Sequence, residues 1–319
     1  MRKAIILGSS QSAENYPTDA LNSAGIDLVG YIDPIDSSNV DIINDYLQFY
    51  EIIQRADLFL ISKEVYPLDI EFAKKLIRFG KHILIDGFRN WSTYEIEQLE
   101  KLRREAQSII QFSNLLQGMS IFTTAFQYLK NPRMIKIEKF CNAPRLGDFE
   151  DWIFENIADE IDLVCRIIQS GIRSIQAKPI FIYGNQADLI NIHLEFDNDA
   201  ICNISMGRAI ENNKHFISVF QPDKHIQIDL LNNKIFESKM SFNEDQLELE
   251  IDLNQSENSK IVTIERNIMP YDIRKLELRN FNENIEKKLT PLSHLDHLHD
   301  VSFICEMLNE KIKRRYQAV

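Results

Sequence analysis

The sequence predicts an α/β protein. An N-terminal Rossmann-like doubly wound parallel sheet is followed by a C-terminal α+β domain with a large open antiparallel sheet. Three observations predict it. Short apolar runs alternate with amphipathic stretches over residues 3–112, the rhythm of parallel strands joined by right-handed crossover helices. The first run breaks at a turn of small residues, Gly8-Ser9-Ser10-Gln11-Ser12-Ala13. From Ala177 to about Arg266 the chain carries only strand-like runs separated by Asn, Asp and Gly turns. The expected domains are 1–115 and 116–319.

In order along the chain, Lys3–Leu7 (KAIIL), Ile26–Ile32 (IDLVGYI), Ala56–Ile61 (ADLFLI), Lys81–Ile85 (KHILI) and Ser108–Phe112 read as strands. Val40–Leu47 suits a short helix. Leu68, Phe72, Leu76 and Phe79 share a helical face that Gly80 ends. Ser92 with Glu95 forms a capping box for a helix to about Gln107. After residue 115 the rhythm changes: Met119–Leu129 is helical, Arg133–Phe140 alternates as a strand, and Trp152–Gln169 is strongly amphipathic. The strand-like runs beyond read as an antiparallel meander. Two helices, Asp272–Glu286 and His294–Arg315, close the chain.

A chain of 319 residues, 44% hydrophobic and 26% charged, is long enough for about two domains with a large core. Its net charge of −12, without a long basic run, speaks against nucleic acid or an anionic membrane as partner. No run approaches a membrane span, and the N-terminal apolar stretch is too short for a signal peptide. Cys141, Cys165, Cys202 and Cys305 are scattered without a CxxC pair. They suit buried free thiols in a reducing cytoplasm.

A strand that breaks at glycine and opens a helix offers free N–H groups and a positive dipole to a pyrophosphate. Against the G-x-G-x-x-G spacing, this chain has Gly8, Ser10 and Ala13, with Gln11 and Ser12 between. Ala is compatible with the third place, whereas Ser10 adds a side chain where backbone approaches phosphate. The turn is half a fingerprint, and any α/β protein opens similarly. Asp33, ending the second strand, suits a ribose diol and favours NAD over NADP; a simple Asp33-Pro34 turn accounts for it equally. Ser62 and Asp86, at the ends of the third and fourth strands, complete the expected cofactor set. Lys63 and Arg89 flank the same strand ends, where an exposed loop cation is the commoner explanation, and Tyr66 beside Pro67 suits packing better than proton donation. His294, His297 and His299 with Asp296 and Asp300 read as polar residues opening a helix rather than as a metal site.

Three pieces, in order, resemble the glucose–fructose oxidoreductase and inositol dehydrogenase (Gfo/Idh/MocA) family. Phe72–Asp86 resembles its alanine-rich helix, Gly-Lys-His and the strand before the catalytic Glu-Lys-Pro. Asn156–Leu163, with Glu160-Ile161-Asp162-Leu163, resembles the stretch around its catalytic histidine. Tyr128-Leu129-Lys130 leading into Pro132–Glu138 resembles the start of its second domain. The resemblance implies hydride transfer with NAD or NADP, NAD favoured, on a sugar-like or polyol substrate, and a homo-oligomer through the C-terminal sheet. The departures are as informative. Asp86, Gly87 and Phe88 stand at Glu-Lys-Pro, so the lysine is absent; Asp159 stands at the histidine. Glu155 keeps the charge of the acid four residues earlier. Asn114-Leu115-Leu116-Gln117 lacks the arginine of the family's Asn-x-Arg-Phe.

Glu155 and Asp159 share a helix face and are the expected catalytic pair, since neighbouring carboxylates in an apolar cleft split their pKa values into acid and base. A solvated acidic face pairing with Arg166 explains the same spacing, and more simply. The expected function is a cytoplasmic NAD(P)-dependent oxidoreductase. The alternative is an inactive family member that binds a nucleotide or sugar metabolite, or serves as a regulatory or interaction protein.

Overall fold

The central strands read as near-continuous apolar runs because both faces of their sheet are buried. In the computed structural model, five parallel strands, β1 (Arg2–Leu7), β2 (Ile26–Ile32), β3 (Leu58–Ile61), β4 (His82–Asp86) and β5 (Ile110–Ser113), lie in the order β2-β1-β3-β4-β5. The structure describes residues 1–8, 12–32, 46–62, 70–89, 91–113, 116, 119–142, 149–183, 187–208, 211–241, 250–251, 260–291 and 295–316. The expected helix Val40–Leu47 falls mostly outside them; the described helix there is α2 (Tyr46–Gln54).

Alternate residues serve the two faces, as the pleat demands. Ile5, Leu7, Phe59, Ile61, Ile83, Ile85 and Phe112 pack against α2, α3 (Ile70–Arg78), α4 (Thr93–Ala106) and the head of the C-terminal helix α8 (Leu295–Tyr316). Ala4, Ile6, Leu58, Leu60 and Leu84 face the other way. There α1 (Thr18–Ser23) has only six residues, and α7 (Ile273–Lys287) completes the cover with Leu278, Phe281 and Ile285. The capping box is present: the Glu95 N–H donates to Ser92 Oγ (3.3 Å) and the Ser92 N–H to Glu95 Oε2 (2.8 Å).

By its contacts the chain divides into two units. One holds Met1–Gly118 with Asp272–Phe303, the other Met119–Tyr271 with Ile304–Val319. The second contains α5 (Ser120–Ala125), β6 (Met134–Cys141), α6 (Phe149–Ile168) and a sheet ordered β13-β14-β12-β11-β10-β6-β9-β8-β7. Its strands are β7 (Ile172–Ile180), β8 (Leu189–Phe196), β9 (Ile201–Arg208), β10 (Lys214–Phe220), β11 (Lys224–Asp229), β12 (Lys234–Ser241), β13 (Glu250–Ile251) and β14 (Lys260–Asn267). The simple meander needs correction. β6 enters between β10 and β9 and pairs in parallel with β9, while the other pairs are antiparallel. Ile135 and Ile137 of β6 are fully buried, as a central strand requires. No helix among the described residues is long and apolar enough to cross a membrane.

His82 opens β4, and its Nδ1 accepts the Ile109 N–H (3.0 Å), so the neutral ring is part of the fold. Burial first, then the nearby Arg2 charge, lowers its pKa from 6.5 to about 4. The folded chain therefore takes up this proton later than the unfolded one. The stabilisation is complete above about pH 6.5 and is lost as pH falls through about 4. Urea denaturation at pH 7 and pH 4.5 is expected to show a loss of about 2 kcal/mol from this group, and His82→Gln to remove that part of the pH dependence.

Candidate functional site

In open α/β sheets, ligands bind outside the carboxyl ends of the strands where the strand order reverses. Here that point lies between β1 and β3. The backbone extends the sheet by one residue at each strand end. The Gly8 N–H donates to the Ile32 carbonyl (2.9 Å), Ser62 N–H to the Leu7 carbonyl (2.9 Å) and Gly87 N–H to the Ser113 carbonyl (3.1 Å). These bonds put Gly8 and Ser62 on adjacent strands at the switch point, with Asp86 one strand further. Ser10, Gln11 and Asp33 lie outside the described residues. Ser12 begins a short 3₁₀ turn, Ser12–Asn15, and its side chain is not among those described. Lys63, Tyr66, Asn114, Leu115 and Gln117 also fall outside.

Arg89 is buried rather than an exposed loop cation, at 4% exposure, and its Nη2 donates to the Ser62 carbonyl (2.8 Å). Asp86 is 8% exposed. Its oxygens accept from Nη2 of Arg274 at 3.2 and 3.1 Å. Arg274 sits one residue into α7. Its Nη1 also donates to Glu277 (2.8 Å) and Ser113 Oγ (3.4 Å), and its guanidinium lies 4.7 Å from the centre of the Tyr16 ring. Burial, reinforced by the Asp86 carboxylate, pushes the Tyr16 phenol far above its ordinary range, and its hydroxyl has no hydrogen-bond partner among the described residues. Burial also raises Glu277, against the pull of Arg274. The sequence reading missed Arg274, Glu277 and Tyr16. Each stands in an ordinary local pattern, and Arg274 is 188 residues from the aspartate it pairs with.

Gly87, which follows β4, has φ of +76°. A side chain there adds strain of about 1–2 kcal/mol. The backbone that ends β4 thus disfavours lysine at that position.

Glu155 and Asp159 belong to α6 of the second unit. Asp159 is half-buried and engaged; the side chain of Glu155 is not among those described. Arg166 reaches Asp162, its Nε 3.3 Å from both oxygens of a fully buried carboxylate. At the head of α8, His299 stands 3.6 Å from Glu97 and from Asp300, and His294 is outside the described residues. Among the described residues no group of three His, Cys, Asp or Glu side chains is placed to hold a metal. A cavity of about 540 Å³ lies at the opposite, amino edge of the parallel sheet, lined by Arg2, Asp57, Lys81 and His82. Helix carbonyl ends gather there, the wrong polarity for a pyrophosphate, so the carboxyl edge remains the candidate.

No family model matches the chain, and no curated protein matches it in sequence. Solved structures share its fold from end to end. UDP-N-acetylglucosamine 3-dehydrogenase GnnA from Acidithiobacillus ferrooxidans superposes with a TM-score of 0.80 at 14% identity, covering 99% of both chains. The dehydrogenase MviM from Clostridium difficile gives 0.76 at 14% identity, covering 97% of this chain and 99% of that one. An NAD-binding protein from Listeria innocua gives 0.76 at 13% identity, covering 98% and 95%.

Arg274→Met strips Asp86 and Glu277 of their shared cation. Chemical denaturation is expected to show a loss of about 3–5 kcal/mol, the cost of an uncompensated buried charge. A loss under about 1 kcal/mol contradicts that role, and Asp86→Asn added to Arg274→Met should recover part of the loss.

Proposed function

We propose that the chain is a nicotinamide-dependent oxidoreductase of a sugar-derived or polyol substrate and a divergent Gfo/Idh/MocA member. One observation carries the reading: Gly8 and Ser62 stand side by side at the switch point of a sheet whose whole chain superposes on dehydrogenases. Glycine ending β1 leaves bare backbone where a pyrophosphate approaches. The dinucleotide would lie along Gly8, Ser10, Gln11, Ser12, Ser62 and Asp86, with Asp33 on the ribose favouring NAD. When bound, it supplies the hydride chemistry, and the protein binds and orients it. The likeness to a UDP-N-acetylglucosamine 3-dehydrogenase supports a carbohydrate-like substrate. Residues 1–115 form the dinucleotide part of the proposal, and the open sheet within 116–319 is the proposed contact between copies of a cytoplasmic chain.

A second reading, binding without turnover, has its own support. The left-handed Gly87 disfavours a lysine at the place where the resembling family polarises the reacting oxygen, and the neighbouring Asp86 is already paired with Arg274. A missing charge of that kind removes several kcal/mol of transition-state stabilisation.

Titration with NADH and NADPH, followed by nicotinamide fluorescence, tests the proposal. Saturable binding with Kd below about 1 mM, or roughly −4 kcal/mol, is expected, tighter for NADH; no binding of either sinks it. On a substrate that the wild-type chain turns over, Asp159→Asn and Glu155→Gln are each expected to lower the rate about 100-fold. Unchanged rates remove these carboxylates from the mechanism.

A further inference from the structure

One face of the large sheet in the second unit gathers more positive charge than its neighbours neutralise. Lys224 of β11 and Lys239 of β12 are directly opposite each other across an antiparallel pair, so both side chains leave the same face. Glu237, two residues before Lys239, shares that face, and so does Arg266 of β14, which is opposite Ile235. Ile226, Ile235 and Val262 of this face are buried, so the charges border the core. Lys224 Nζ donates to Glu237 Oε1 (3.1 Å), and Arg266 Nη1 lies 3.0 Å from Glu237 Oε2. The centre of the Tyr128 ring is 5.6 Å from Lys224 Nζ and 4.9 Å from the Arg266 guanidinium. Gln221 holds that stretch: its Nε2 donates to the Tyr128 carbonyl (3.1 Å) and its Oε1 accepts the Lys130 N–H.

Fastening the Tyr128 stretch to the sheet explains Lys224, Arg266 and Glu237. It leaves two features over. Lys239 has no ion-pair partner among the described residues, although a like charge stands directly opposite it. Like charges so placed cost stability. The next acid in that row, Glu250, stands two strands beyond Lys239, about 10 Å away. The second feature is Arg266 Nη1. It is buried and makes no hydrogen bond among the described residues, its contact with Glu237 being out of line. A buried donor left unmade costs free energy that a bound acceptor returns.

Three cations thus share a face with one carboxylate, an excess of two positive charges in a chain of net charge −12. The group stays open to solvent: Lys224 and Arg266 keep 16% and 29% of their side chains exposed, and Lys239 is half-buried. A guanidinium offers a fork of N–H donors to an oxyanion, and lysines add point charges. A dianion with several acceptor oxygens matches both the excess charge and the unused donor. A phosphate monoester carries about −1.5 to −2 charges at neutral pH on three acceptor oxygens. A monocarboxylate leaves half of the excess in place.

We propose that Lys224, Lys239 and Arg266 bind a phosphate dianion, free or as a monoester. The site lies within the second unit and stands whether or not the chain uses a nicotinamide dinucleotide.

Calorimetric titration of the full chain with inorganic phosphate tests it, at constant ionic strength and in a buffer free of other oxyanions. Saturable binding with Kd below about 1 mM is expected. Lys239→Met is expected to weaken it about tenfold or more, and Lys239→Arg to restore it to within about threefold. Without phosphate, Lys239→Met is expected to melt at or above the wild-type temperature, because removing one of two facing charges relieves their repulsion. The same titration with a hexose 6-phosphate separates the sources. Tighter binding than phosphate assigns the site to a phosphorylated metabolite, equal or weaker binding to the free ion, and either supports the site. No saturation by either probe up to about 10 mM overturns the proposal. Binding by Lys239→Met within about threefold of wild type also overturns it, because the phosphate then sits elsewhere, the Gly8 turn included. A clear fall in the phosphate-free melting temperature of Lys239→Met does the same, since it means that the chain itself already holds that charge.

Discussion

The first unit depends on the burial of one sheet face by a helix that arrives from the far end of the chain. A parallel sheet exposes apolar side chains on both sides and needs cover on both. The crossover α1 is too short to cover the Ala4–Ile6–Leu60–Leu84 face, and α7 supplies Leu278, Phe281 and Ile285. Polar contacts fix the helix at both ends. At one, Arg274 holds Asp86 and Ser113. At the other, Asn282 donates to the Ala24 carbonyl (2.9 Å) and accepts from Arg2 (2.8 Å). Gly25 fits this arrangement twice over. Its φ is +73°, and a Cβ there would meet Asn282 at 3.2 Å.

This cover also changes the chemistry at the strand ends. The carboxyl edge of a doubly wound sheet is where fixed charges act on a ligand. A lysine following β4 would bring a mobile cation to that edge. Instead, Gly87 turns left-handed and the positive charge arrives on Arg274, tied to Asp86 and Glu277. A bidentate guanidinium held by two carboxylates is a rigid partner rather than a flexible proton donor. The second unit carries a buried carboxylate of its own. There Lys139 and His215 face a buried Glu160 on the middle of α6.

Much of this was legible in the sequence. The five parallel strands were marked by β-branched runs of the right length. The capping box at Ser92 and Glu95 was marked by residue type and spacing alone, because its bonds close within four residues. Asp272 caps α7 in the same local way, its Oδ1 accepting the Lys275 N–H at 3.0 Å. The order of the large sheet was not legible. Consecutive strands usually pair as neighbours, and nothing in Met134–Cys141 says that β6 will separate β9 from β10.

The sequence by itself determined the class of fold and the place of the glycine turn after the first strand. These follow from local composition and from period-2 and period-3.6 patterns. The tertiary structure alone decided which distant charged side chains meet. Arg274 meets Asp86 across 188 residues, and Lys139 meets His215 only because β6 and β10 are neighbours. Such pairings are set by which apolar faces bury one another, and the charged side chains ride on those faces without a local signal of their own.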